Sequence, residues 1–208
     1  MDLTLIRHGE STGNVARELA MRSGAEIMDI PERDPDIPLS QRGVRQAQLL
    51  GRWLAAQHPP DLVLSSPYLR ALETVRTATG HPGIRIDERL RDRDMGALYR
   101  LTPAGVKARF PHEYDLKESV GKFYYRPPGG ESWADMALRL RAVLSDLPRD
   151  SRILISAHDA VIILIRYIVE GLSEAEIMEI EKLPVANCSI SRWVDGRQVM
   201  FNEVSHLI

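Results

Sequence analysis

Leu3-Thr4-Leu5-Ile6-Arg7-His8-Gly9-Glu10-Ser11-Thr12-Gly13-Asn14 couples a short apolar run of strand type to a glycine-punctuated turn rich in hydrogen-bond donors. The pattern predicts a buried strand that delivers polar chemistry at its carboxyl end. A guanidinium beside an imidazole suits an anion with several oxygens, because arginine presents a planar fork of N–H groups. Phosphate is the natural candidate.

Two later stretches repeat the arrangement. Asp61 to Ser65 reads as a second apolar strand, and Ser65-Ser66-Pro67 turns it into a helix with Arg70 in its first turn. A cation at a helix N-terminus is mildly disfavoured unless an anion shares the exposed N–H groups. Ile153-Leu154-Ile155-Ser156-Ala157-His158-Asp159 forms a third junction, followed by an apolar helix to about Glu170. Open α/β sheets bind ligands beyond the carboxyl ends of their strands, so His8, Arg70 and His158 are predicted to converge on one pocket.

The remaining segments fill in the architecture. Asn14 to about Met21 has helical character, and residues 22–38 collect glycine, prolines and acids as a surface loop. Ser40 caps a helix carrying Val44, Ala47, Leu50 and Leu54 at helical spacing, with Trp53 expected in the core. Thr102-Pro103 opens another helix within a segment, about 97–130, that interrupts the alternation and is expected to form an inserted lid. Ser132 opens an amphipathic helix through Asp146, and Ser173 with Glu176 forms a capping box. Residues 187–194 and 198–203, separated by Asp195-Gly196, read as a hairpin. The expected fold is a three-layer α/β/α sandwich with a mainly parallel central sheet.

With 208 residues, 44% of them hydrophobic and no shift in composition, the sequence predicts one domain over 1–208. A net charge of −2 leaves no electrostatic footprint for nucleic acid or an anionic membrane. The longest apolar run, Ala160 to Ile165, is too short for a bilayer. One cysteine, Cys188, and no basic-then-apolar opening segment give a cytoplasmic setting as the expectation. No carboxylate cluster of metal-ligand type is present, so neither metal nor other cofactor is expected.

The string Arg7-His8-Gly9-Glu10-Ser11-Thr12 with Asn14 resembles the signature of the histidine phosphatase superfamily, the phosphoglycerate mutase-like proteins. Leu39-Ser40-Gln41-Arg42-Gly43 with Gln46-Ala47, and Ser65-Ser66-Pro67 with Arg70-Ala71, also resemble its motifs. The resemblance implies that His8 is phosphorylated during turnover and that Arg7, Arg70, His158 and Asn14 hold the phosphoryl group, with Ser11 and Thr12 lining its pocket. The stretch Leu90-Arg91-Asp92-Arg93-Asp94-Met95-Gly96 resembles the family's Leu-x-Glu-x-x-x-Gly, which puts Asp92 at the place of the proton donor, with Glu88 and Asp94 as rivals. Asp159 stands where the family usually has glycine, beside the phosphoryl pocket.

Tyr124-Tyr125-Arg126-Pro127-Pro128-Gly129-Gly130-Glu131-Ser132 resembles a stretch of fructose-2,6-bisphosphatase domains, where a Lys, a Tyr and an Arg hold a second phosphate. Lys122, Tyr125 and Arg126 are the matching residues. The resemblance implies a metal-independent phosphatase of the histidine acid type acting on a small phosphorylated metabolite. Alternatives are mutase-type phosphoryl transfer, which the missing C-terminal extension of phosphoglycerate mutases argues against, and a non-catalytic phosphate-binding regulatory module. Assembly is left open, a homodimer being one expectation.

Overall fold

The computed structural model describes residues 1–208. Its centre is a six-stranded sheet in the order β3-β2-β4-β1-β5-β6, formed by β1 (Asp2–Arg7), β2 (Leu62–Ser65), β3 (Arg85–Ile86), β4 (Arg152–Ala157), β5 (Ile190–Val194) and β6 (Arg197–Glu203). The first four run parallel, and the hairpin β5–β6 closes one side antiparallel to β1. The mainly parallel sheet expected from the strand runs is present. β3, two exposed residues long, carries too little apolar pattern to be seen in the sequence.

Side-chain alternation along each strand sorts the core into two layers. Leu3, Leu5, Leu64, Ile153 and Ile155 face one way, against Met136, Leu140 and Val143 of α6 (Trp133–Asp146) and Val161 to Ile165 of α7 (Asp159–Glu170). Ile6, Val63 and Leu154 face the other way, against Ala47 and Leu50 of α2 (Gln41–Ala55) and Val75 of α3 (Leu69–Thr79). This is the predicted three-layer sandwich. Each such fully buried aliphatic side chain contributes roughly 1.5–3 kcal/mol relative to exposure. Val44, counted in the α2 stripe, is 38% exposed, and Trp53 packs only at the margin of its layer.

Helix starts follow the capping residues. Ser11, Ser40 and Ser132 accept the backbone N–H three residues on, opening α1 (Thr12–Ser23), α2 and α6. Ser173 does the same for α8 (Glu174–Ile180), with the reciprocal Glu176 bond of a capping box. Within 97–130 the chain forms α4 (Pro103–Arg109) and α5 (Pro111–Val120). This segment is stitched to the loop after α1. Thr102 Oγ1 donates to the Ala25 carbonyl at 2.7 Å, Ile27 bridges Leu101, and a Cβ on Gly105 would meet the Glu26 oxygen at 2.0 Å. The two stretches together build one wall of a cleft at the carboxyl ends of the parallel strands.

Candidate active site

Three paired strands end side by side. Arg7 of β1 is in register with Ala157 of β4, and Ser65 of β2 with Ser156 of β4, so His8, Ser66 and His158 follow one another across the sheet edge. His8 N–H donates to the Ala157 carbonyl at 3.0 Å, and the two imidazole rings lie 5.2 Å apart, edge to face. Sheet register, rather than any loop, sets this spacing.

Behind His8 the turn is locked by backbone contact. A Cβ on Gly9 would meet the Gly43 oxygen at 2.7 Å, and one on Gly43 would meet the Glu10 oxygen at 2.0 Å. Only glycines permit α2 to abut the loop so closely. Gly9 N–H also donates to Thr74 Oγ1, which donates to the Arg70 carbonyl, so α3 and the His8 turn share one hydroxyl.

Both histidines are buried. Nδ1 of His8 lies 2.7 Å from the Gly9 carbonyl, which can only accept, so Nδ1 carries the proton and Nε2 keeps its lone pair. Burial first, then the charges of Arg70, His158 and Arg7, hold the pKa of His8 well below the usual imidazole value. Burial, then Arg70 and Arg7, does the same to His158. Nε2 of His158 meets the Ser66 hydroxyl at 2.8 Å, and its Nδ1 lies 3.3 Å from Asp92 Oδ2. That second contact is not an ion pair, because the imidazole is held neutral, nor an aligned hydrogen bond, because Nδ1 has no hydrogen-bond partner.

Arg70 is held on three sides. Nη1 donates to the carbonyl and Oδ1 of Asp34, at 2.7 and 2.9 Å, Nη2 donates to Asp92 Oδ2 at 3.0 Å, and the guanidinium stacks on Tyr68 at 4.9 Å. Arg7 donates through Nη1 to the Val185 carbonyl, with Asp159 Oδ2 4.0 Å from its Nη2. Asn14 accepts from Ser11 and Asn187 through Oδ1, which leaves its Nδ2 unengaged at the cleft wall.

The cleft has a volume of ≈ 430 Å³, ample for a small metabolite. The structure brings Arg7, His8, Ser11, Asn14, Arg70, Asp92, Asp159 and Lys122 to it. His158 lies directly behind, fully buried against the His8 and Tyr68 rings. Thr12 does not line it; its hydroxyl is buried inside the turn. Glu88 and Asp94, the rivals of Asp92, are both exposed and outside it.

Two expected residues are placed elsewhere. Tyr125 is buried, with its hydroxyl on Glu113, and Arg126 is exposed, paired with Asp135 at the start of α6. The reason is local: Arg93 donates to the Tyr125 carbonyl and the Glu131 carbonyl, which pins this stretch with its side chains away from the cleft. Lys122 reaches the cleft but is paired with Glu181 over the Trp133 ring.

The structure adds two residues that sequence reasoning missed, Asp34 and Arg93. Asp34 sits in the proline-rich loop on a short 3-10 turn, and Arg93, together with Lys117 from the basic 97–130 segment, approaches Lys122 from the far wall. Neither Arg93 nor Lys117 forms an ion pair; burial lowers the pKa of both, assisted at Lys117 by the neighbouring Lys122 charge. Only the adjacency of Arg93 to Asp92 offered a signal.

Residues 3–199 match the family model described as histidine phosphatase superfamily, branch 1. The chain belongs to the histidine phosphatase superfamily. It is 31% identical over 186 residues to 6-phosphofructo-2-kinase/fructose-2,6-bisphosphatase 3 of Rattus norvegicus, covering 87% of this chain and 30% of that one. The chain spans about a third of the length of the curated relatives it matches. Among solved structures, mycobacterial glucosyl-3-phosphoglycerate phosphatase superposes with a TM-score of 0.76 at 25% identity, covering 97% of this chain and 98% of that one. The alpha-ribazole phosphatase of Shigella flexneri shares the superfamily fold, with a TM-score of 0.79 at 22% identity over 99% and 97% of the two chains.

No helix is long and apolar enough to cross a membrane. No group of three or more His, Cys, Asp or Glu side chains is placed to hold a metal ion.

Proposed function

We propose that the protein is a phosphatase that hydrolyses a small phosphomonoester through a phosphohistidine on His8, with charge stabilisation supplied by side chains. The observation that carries this reading is the His8 tautomer: a buried, neutral imidazole with Nδ1–H on the Gly9 carbonyl and a free Nε2 beside two arginines. In the first step Nε2 bonds to phosphorus as the P–O bond to the leaving group breaks, and Asp92 gives its proton to the departing alkoxide. Arg7, Arg70 and Asn14 hold the equatorial oxygens as charge spreads over them, with His158 packed behind His8. In the second step water attacks phosphorus, the N–P bond breaks, and the Asp92 carboxylate takes the water's proton.

The far wall bears on substrate class. Arg93, Lys117 and Lys122 converge there with Glu181 as the one carboxylate paired to them. Such an excess of cation supports a substrate carrying a second anionic group remote from the reacting phosphate, bound by Arg93 and Lys117 rather than by Tyr125 and Arg126.

Rapid quench with a ³²P-labelled phosphomonoester tests the mechanism. Acid-labile, base-stable label is expected on the wild-type chain and none on His8→Ala, whose hydrolysis should vanish while its fold persists. A wild-type chain that turns over without ever trapping such label would overturn the phosphohistidine route.

A further inference from the structure

The pocket assigned to the phosphoryl group is not cationic as folded. Both imidazoles are neutral, and the two arginines, Arg7 and Arg70, face three carboxylates: Asp159, Asp34 and Asp92. Arg70 is the extreme case. Its side chain is 6% exposed, and three of the five N–H donors of a guanidinium are spent, two on Asp34 and one on Asp92. Even with Asp92 protonated for its role as donor, the two arginines face the two carboxylates of Asp159 and Asp34, so an entering phosphoryl dianion meets no net positive charge in a partly desolvated space.

Asp92 has a use in the reaction, as donor of the leaving-group proton. Asp34 has none. It is nevertheless fixed on Arg70 by its own backbone, because the 3-10 turn Asp34–Asp36, with Pro35 inside it, brings carbonyl and carboxylate to the same Nη1. We propose that Asp34 is a built-in competitor of the phosphoryl group for Arg70, and that anion binding is coupled to uptake of one proton on the Asp34 carboxyl. This rests on Arg70 belonging to the phosphoryl pocket.

The groups facing Asp34 decide the direction of the effect. Arg70 and Tyr68 approach from the start of α3, Asp92 and Asp94 from the loop after β3, and Tyr99 from beyond it. Burial raises the pKa of Asp34; Arg70 opposes this, and Asp92 and Asp94 reinforce it. An arriving dianion adds negative charge and draws on Arg70, so the complex holds the proton more tightly than the free protein. By linkage, anion affinity must then rise as pH falls. The same contact favours release of the phosphate product, since Asp34 reclaims Arg70 as it re-ionises.

Sulfate is the appropriate probe, because its charge stays fixed while the protein titrates. Calorimetric titration of the full chain with sulfate is expected to give about tenfold tighter binding for Asp34→Asn than for wild type near pH 8, the gap narrowing steadily as pH falls and the wild-type carboxyl takes up its proton. Proton uptake on binding, read from buffers of different ionisation enthalpy, should be smaller in the variant than in wild type. Asp34→Ser, which removes the carboxylate but keeps the backbone carbonyl on Arg70, should behave like Asp34→Asn. Sulfate affinity that is unchanged or weaker in both variants would make Asp34 a mere anchor of Arg70 and overturn the proposal. Arg70→Gln separates the two levels: sulfate affinity surviving that change rejects Arg70 as a phosphoryl ligand and the proposal with it. Affinity lost in Arg70→Gln but not gained in Asp34→Asn rejects the proposal alone.

Discussion

The two ends of the cleft hold their cations differently. At the His8 end, Arg7 and Arg70 are fixed by carbonyls and carboxylates before any ligand arrives. At the far wall, Arg93 and Lys117 have no acidic partner. Rigid placement at the first end suits chemistry, where a misplaced donor costs rate. Unspent charge at the second suits recognition, where the ligand supplies the missing anion.

The largest effect that sharpens this contrast is expected at Asp92. General acids typically contribute about 10²–10⁴-fold, most for leaving groups that need the proton. Asp92→Asn should therefore cripple hydrolysis of an alkyl phosphate far more than that of p-nitrophenyl phosphate. Equal losses on both esters would remove the acid role from the chemical end.

Next in size is the recognition end. A charge-assisted hydrogen bond is worth roughly 1.5–3 kcal/mol, or about 10–100-fold. Lys117→Gln should raise KM by about that factor for an ester with a second anionic group, and leave p-nitrophenyl phosphate unaffected. A parallel loss on both substrates would show that the two ends are not separate devices.

A smaller effect concerns stability. His8 and His158 both have pKa values depressed by burial, so below about pH 6.5 the unfolded chain binds more protons than the folded one. Stability should fall as pH drops through that value and recover as pH rises. Melting temperatures followed from about pH 7.5 down to 5 check this, and His158→Asn should flatten the slope. The smallest effect is at Arg126: because it pairs with Asp135 on the exposed side of the chain, Arg126→Ala should leave kcat/KM unchanged for any substrate. A raised KM there would return Arg126 to the recognition end.

Much of this arrangement was legible from residues 3–14, 61–70 and 153–159, because each strand and its polar residue are contiguous in the chain. Parallel pairing then converts three local signals into one site. Asp34 was hidden for the opposite reason. It lies 36 residues from Arg70 in a loop without periodicity, and nothing in a proline-rich acidic stretch says which carboxylate turns inward. Tyr125 and Arg126 were misplaced because residues 121–130 follow neither helical nor strand repeat, so their facing depends on Arg93, which grips the backbone from outside the segment. β3 escaped notice because two exposed residues bury no apolar pattern.

Gly43 makes no contact with the cleft, yet a single added carbon there would sit 2.0 Å from the Glu10 oxygen, one residue beyond the Gly9 carbonyl that fixes the His8 tautomer. The chemistry of the imidazole is therefore written partly into α2. For anyone reshaping this scaffold toward a new ester, the practical division is plain: Lys117 on the far wall can be varied in side chain while Arg93 is kept for its grip on the Tyr125 and Glu131 carbonyls, and the helix behind the histidine has to be kept bare at that one turn.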